Sequence, residues 1–104
     1  MGDDGQSWDF EGELWRWQSN GGTAWIFVTL PQDVADEIDE AAPEPRAGFG
    51  SVKVDVAIGD VRWKTSLFPS TEHESFILPL KAPVRKKAGI DVGDVGSFRV
   101  ALAT

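Results

Sequence analysis

The chain has 104 residues, 41% of them hydrophobic and 26% charged, which fits one domain with a small but real core. No apolar run is long enough for a helix to cross a bilayer, no cationic and apolar leader opens the chain, and zero cysteines exclude disulfides, thiol catalysis and thiolate metal sites. The net charge of −7 is uneven, with eleven acids against Arg16 and Arg46 through Phe49, and eight Lys or Arg against six acids from Gly50 onward. An acidic chain repels phosphate at long range, so nucleic acid is disfavoured as a partner, and a cytoplasmic location without membrane contact is expected.

Residues 1–6 carry no periodic pattern and read as a disordered tail, leaving 7–104 as a single domain. Trp8, Phe10, Gly12 and Leu14 then alternate with Asp9, Glu11 and Glu13, the period of a strand with one buried face. Trp15 and Trp17 break that phase, falling where polar residues belong. A second strand, Trp25 to Leu30, is stopped by Pro31. A two-residue Asn20-Gly21 turn between them would mix polar and apolar side chains on both faces. A three-residue Asn20-Gly21-Gly22 loop with a glycine bulge pairs Leu14 with Val28, Trp15 with Phe27 and Trp17 with Trp25, sorting the faces. Ile26, Val28, Leu30, Phe10 and Leu14 then form core, and Trp15, Trp17, Trp25 and Phe27 gather on the opposite face.

Residues 32–41 predict a helix with Val34, Ala35 and Ile38 on one stripe, followed by a loop through Pro43, Pro45 and Gly48. Val52, Val54, Val56 and Ile58 make a strand, Gly59-Asp60 turns it, and Val61, Trp63, Thr65 and Leu67 return, with Asp55 opposite Lys64 outside. Phe76, Leu78 and Leu80 mark a fifth strand. Pro83 and Gly89 frame a second helix, and Phe98, Val100 and Leu102 a sixth strand, with a turn at Gly93-Asp94 and a bulge at Gly96. A shift of fifty residues lays Ile26, Val28, Leu30, Val34 and Ile38 over Phe76, Leu78, Leu80, Val84 and Ala88. Two such units sharing one core imply a small, mainly β barrel with a pseudo-twofold axis and two short helices.

The phrases Ala24 to Pro31, Gly48-Phe49-Gly50-Ser51-Val52, Trp63 to Pro69, Leu78-Pro79-Leu80-Lys81 with Val84-Arg85, and Gly93-Asp94 together resemble the bacterial domain-of-unknown-function family 1905. The resemblance covers residues 8 to 103 in order and spacing. It implies a six-stranded double-split β-barrel similar in fold to the swapped-hairpin barrels of AbrB and MazE regulators, with both halves in one chain. Members occur alone or joined to a segment resembling YdeI/OmpD-associated proteins. No catalytic residues follow from the family. Gly96 and Ser97 depart from its usual ending, which leaves the register of the last strand open.

Two surfaces stand out. Trp15, Trp17, Trp25 and Phe27 form either a platform for a planar ligand or partner, or a second small core under Val34 and Ile38 of the first helix. The second reading is preferred, because an amphipathic helix in so small a domain must bury its stripe somewhere. Arg62, Ser66, Lys81, Arg85 and Lys86, with Lys64 and Lys87, offer donors for a phosphate or carboxylate, or else complement a helix dipole. His73, between Glu72 and Glu74, lacks the two-histidine spacing of a zinc site, so no metal or other cofactor is expected. No serine elbow, phosphate-cradling loop or dinucleotide fingerprint is present. The leading expectation is a binding module for a small anionic ligand or a protein partner. A regulator that binds nucleic acid, by fold analogy alone, and an enzyme on a phosphorylated or carboxylated metabolite are the alternatives. A monomer is the default, and a homodimer follows if the tryptophan face is uncovered.

Overall fold

The break in alternation at Leu14 turns out to organise the fold. The computed structural model describes residues 6–18, 20–42 and 50–103; the expected tail, apart from Gln6, and the loop through Pro43, Pro45 and Gly48 lie outside them. Seven strands and two helices run β1 (Ser7–Glu13), β2 (Trp15–Gln18), β3 (Ala24–Thr29), α1 (Gln32–Ala41), β4 (Val52–Ile58), β5 (Val61–Ser70), β6 (Ser75–Pro79), α2 (Ala82–Ala88) and β7 (Val95–Leu102). They form one curled antiparallel sheet in the order β1-β7-β4-β5-β6-β3-β2. Its two ends, β1 and β2, are consecutive in the chain with only Leu14 between them, so this residue carries the chain from one end of the sheet to the other.

The register of the three-residue glycine loop predicts that Leu14 pairs with Val28, and it does not: the β2–β3 ladder starts at Trp15–Phe27. The Leu14 N–H donates to the Asp94 carbonyl and its own carbonyl accepts from Gly93, both at 2.9 Å. The partner turn is built for this. Gly93 sits at φ 91°, in the left-handed region that favours glycine, and the Asp94 carboxylate accepts the Asp91 N–H at 2.8 Å. A strand that must leave one neighbour for another has unpaired backbone groups at the crossover, and this turn satisfies them.

The two halves of the chain are related as the shift of fifty residues implies. Val28 pairs with Leu78, its own counterpart. Leu30 N–H donates to Phe76 at 3.0 Å while Leu80 N–H donates to Ile26 at 2.9 Å, a reciprocal pair of bonds. β5 is the counterpart of β1 and β2 combined: its first part pairs with β4 through Val52–Leu67, and its last residues pair with β6 from Phe68–Ile77 onward. Leu14 and Leu67, both buried, thus occupy equivalent corners of the sheet.

One face of the curled sheet is filled by Phe10, Leu14, Ile26, Val28, Val54, Val56, Leu67, Phe76, Leu78, Phe98 and Val100. Val34, Ala35 and Ile38 of α1 join this same cluster. α1 packs on β6, and Trp8 Nε1 donates to Glu37 at 3.0 Å to tie the helix to β1. α2 has Pro83 in its first turn and ends at Gly89, left-handed at φ 72°, as its sequence predicts. The hairpin pairs Val56–Trp63, Val54–Thr65 and Asp55–Lys64 also form as read.

Gly96 is not a bulge. It pairs with Gly12 in an unbroken ladder from Ser7–Ala101 to Glu13–Val95, which fixes the register of β7. Close approach explains both glycines: a Cβ on Gly12 would lie 2.5 Å from Val28 Cγ2, and one on Gly96 2.9 Å from the Phe98 ring. The rings of Phe10 and Phe98 stack at 5.4 Å on the next pair along the same face. Gly12→Ala is therefore expected to cost about 1–3 kcal/mol, as overpacking does. A urea titration measures it, and Val28→Ala in the same chain should recover part of the loss if that contact is the cause.

Candidate functional site

On the opposite face of the sheet the two halves differ in chemistry. Around β1, β7, β4 and the first part of β5, the face is charged. Around β2, β3, β6 and the end of β5, it is aromatic.

The aromatic side follows from register. Trp15 faces Phe27 and Trp17 faces Trp25 across β2 and β3, the pairing that the longer glycine loop predicts. Phe68 faces Ile77 across β5 and β6. Together with Ser70, Glu72 and His73 these side chains line a groove of about 380 Å³, within the size range of small-molecule sites. Trp25 and Phe27 lie parallel, 11° apart at 6.2 Å, while Trp15 tilts 37° from Phe27 at 5.3 Å. The β5–β6 hairpin tip folds His73 against Trp15 at 4.9 Å, and its backbone N–H donates to Ser70 Oγ at 3.3 Å. Trp15 is anchored by Nε1, which donates to Thr29 Oγ1 at 2.9 Å.

The helix does not cover this face. Trp17 is 47% exposed and Trp25 and Phe68 are each 42% exposed, because the stripe of α1 is consumed by the core on the other side of the sheet. Phe68, Ile77, Glu72 and His73 are groove residues that the reading by sequence did not assign there. The signal for Phe68 was available: it follows Leu67 as Trp15 follows Leu14, one buried residue and then one on the outer face.

The candidate cations do not gather at one place. Arg62 lines a broad trough of about 1060 Å³ on the charged side with Asp9, Glu11, Asp55, Lys64 and Arg99. Arg85 and Lys86 line a separate hollow of about 390 Å³ with Gly89, Ile90, Asp91 and Asp94. Ser66 faces Lys53 across β4 and β5, and Lys81 stands at the N-cap of α2. Several charges are already matched. Lys64 meets Asp55 at 2.9 Å, and Arg85 donates Nε to the Leu80 carbonyl at 3.2 Å while its guanidinium meets Asp91 at 3.3 Å. Among the described residues, His73 included, no group of three or more His, Cys, Asp or Glu is arranged to hold a metal ion.

In the trough, Arg99 grips Asp9 with two bonds, at 2.8 and 3.1 Å. This side-chain hydrogen bond, aided by the guanidinium charge and opposed by some desolvation, holds the Asp9 carboxyl below its ordinary value. A depressed carboxylate contributes stability above its unfolded pKa, and that contribution is lost as pH falls through the folded one. In Arg99→Gln the Asp9 titration followed by carboxyl ¹³C NMR should move back up to the ordinary range. An unchanged midpoint would mean that the pair is not populated in solution. Both side chains are well exposed, so the effect on stability is small.

No helix among the described residues is long and apolar enough to cross a membrane. A family model described as "Domain of unknown function (DUF1905)" matches residues 10–100, so the chain belongs to that family. No curated protein matches it.

Proposed function

We propose that this member of the DUF1905 family is a small binding module whose ligand or partner seats in the groove of Trp15, Trp17, Trp25, Phe27 and Phe68. The observation that carries the reading is an asymmetry between the two halves. The pairs Trp15–Phe27 and Trp17–Trp25 of the first half correspond to Phe68–Ile77 and Ser70–Ser75 of the second. At the same place in the same fold, two serines stand where two tryptophans stand. The architecture therefore does not require indoles there, and half-exposed aromatic side chains beside a groove are the usual material of recognition sites.

The reading goes with the finer architecture that the family resemblance implies: a six-stranded double-split barrel, in which β1 and β2 count as one long strand shared between both halves, as β5 is. The uncovered tryptophan face is the condition for a homodimer. We assign it to a ligand instead, because a second copy would bring its own Glu72 and net charge against the same groove. The reading then goes with a monomer in the bacterial cytoplasm, working without cofactor or metal. The anion site suggested by Arg62, Ser66, Lys81, Arg85 and Lys86 has less support, because Arg62 and Arg85 line different grooves and Arg85 is engaged by Asp91 and Leu80. Nucleic acid is disfavoured by the pairing of Lys64 and Arg99 with acids on the charged side.

A fragment screen by ¹H–¹⁵N NMR tests the groove, since each of the five tryptophans supplies one indole N–H signal. Hits should move the Trp17 and Trp25 signals and leave Trp8 and Trp63 in place. Hits that act only on residues around Arg62 or Arg85 would transfer the function to an anion site.

A further inference from the structure

We propose that the aromatic groove binds an organic cation of the methylated or quaternary ammonium type; this rests on the groove being the binding site. Three features select that chemistry. The first is the shape of the wall. Trp25 and Phe27 are parallel, whereas Trp15 is tilted against Phe27, and His73 is tilted 43° against Trp15. The rings thus face the groove from more than one direction, as a rounded guest requires and a flat one does not. An indole face carries the negative side of its quadrupole and attracts a cation placed over it.

The second feature is charge. Among the described residues, Glu72 is the one carboxylate of the lining, and no Lys or Arg lines the groove. The chain as a whole carries −7. An anion would meet the negative ring faces and Glu72 together. A second copy of the chain would bring its own Glu72 and its own net charge against the same features.

The third is a shortage of hydrogen-bonding groups. Besides Glu72, the polar groups that the described residues bring to the lining are Ser70, His73 and the indole N–H groups. Ser70 Oγ already accepts the His73 backbone N–H and Trp15 Nε1 is spent on Thr29, so beyond Glu72 the wall offers the indole donors of Trp17 and Trp25 and few acceptors. A sugar, with a hydroxyl on most of its carbons, would leave many groups unpaired against this wall. A methylated ammonium has positive charge, apolar surface and few or no N–H groups to satisfy, so it gains from the rings and loses little on leaving water.

The test uses choline and its uncharged carbon isostere, 3,3-dimethylbutan-1-ol, titrated into the whole chain with the indole N–H signals and tryptophan emission as readouts. Choline should shift Trp17 and Trp25 and bind at least about two- to five-fold more tightly than the isostere, the range for cation–π contacts at exposed sites. Glu72→Gln should weaken choline by about two- to five-fold, as an exposed charge partner does, and leave the isostere unchanged. Equal binding of the two compounds, or binding of the isostere alone, overturns the cation while the groove stands. If choline binds no detectable site and the fragment screen also leaves Trp17 and Trp25 unmoved, the groove itself is lost as a binding site, and the cation with it.

Discussion

Leu14→Ala is expected to lower the unfolding free energy by about 2–5 kcal/mol, the cost of deleting most of a buried leucine. Against the usual 5–15 kcal/mol for a whole domain, that brings the protein close to its unfolding threshold. The site earns the upper part of that range for a topological reason. Leu14 is 1% exposed at the corner where the chain leaves β7 as partner and takes up β3. A cavity there loosens both ends of the sheet together. Leu67→Ala, at the equivalent corner of β5, should fall in the same range, since Leu67 is wholly buried. Urea titrations at constant m-value give both numbers. A cost below about 1 kcal/mol for Leu14 alone would mean that the sheet relaxes freely at this corner. Gly93→Ala offers a contrast, because it leaves the packing intact and strains only the turn that holds the Leu14 backbone: the glycine is at φ 91°, and a Cβ added there would meet open space.

The corner also explains what could be read from the sequence and what could not. Strand alternation and turn glycines specified the β2–β3 and β4–β5 registers, and Pro83 with Gly89 bounded α2, because these signals are local. The odd phase of Trp15 and Trp17 was visible too, but its meaning was not. A strand that switches partner must turn, and a turn at Leu14 moves the following residues to a different part of the sheet. The destination of the α1 stripe is equally non-local. The helix needs an apolar surface, and both the aromatic face and the main core offered one. Leu30 lies in the core immediately before Pro31, and the helix that follows remains on that side. Gly96 was ambiguous for a different reason: a glycine in a strand marks a bulge or a close approach, and only the position of the Phe98 ring decides between them. The cations near Arg85 and the cation Arg62 were grouped by charge alone, although a helix and a strand hold them over separate hollows.

The second large effect separates folding from recognition in one variant. Trp17→Ser with Trp25→Ser gives the first half the residues that the second half already has at Ser70 and Ser75. The stability cost should be small, about 1 kcal/mol, because what is lost is the cross-strand Trp17–Trp25 pair and the Trp25–Phe27 ring contact, both on a half-exposed face, and no core volume. Binding in the groove should fall far more, by roughly thirty-fold or beyond, which is the scale at which tryptophan truncation acts when the indole is an anchor. Urea denaturation and NMR titration of the same sample report the two quantities independently. If the double variant unfolds or loses more than about 2 kcal/mol, the tryptophans are structural elements of β2 and β3, and the asymmetry between the halves reflects packing rather than a site. If stability holds and affinity collapses, the fold has been used twice in one chain, and the indoles that turn the shared groove into a recognition surface come from only the first of its two halves.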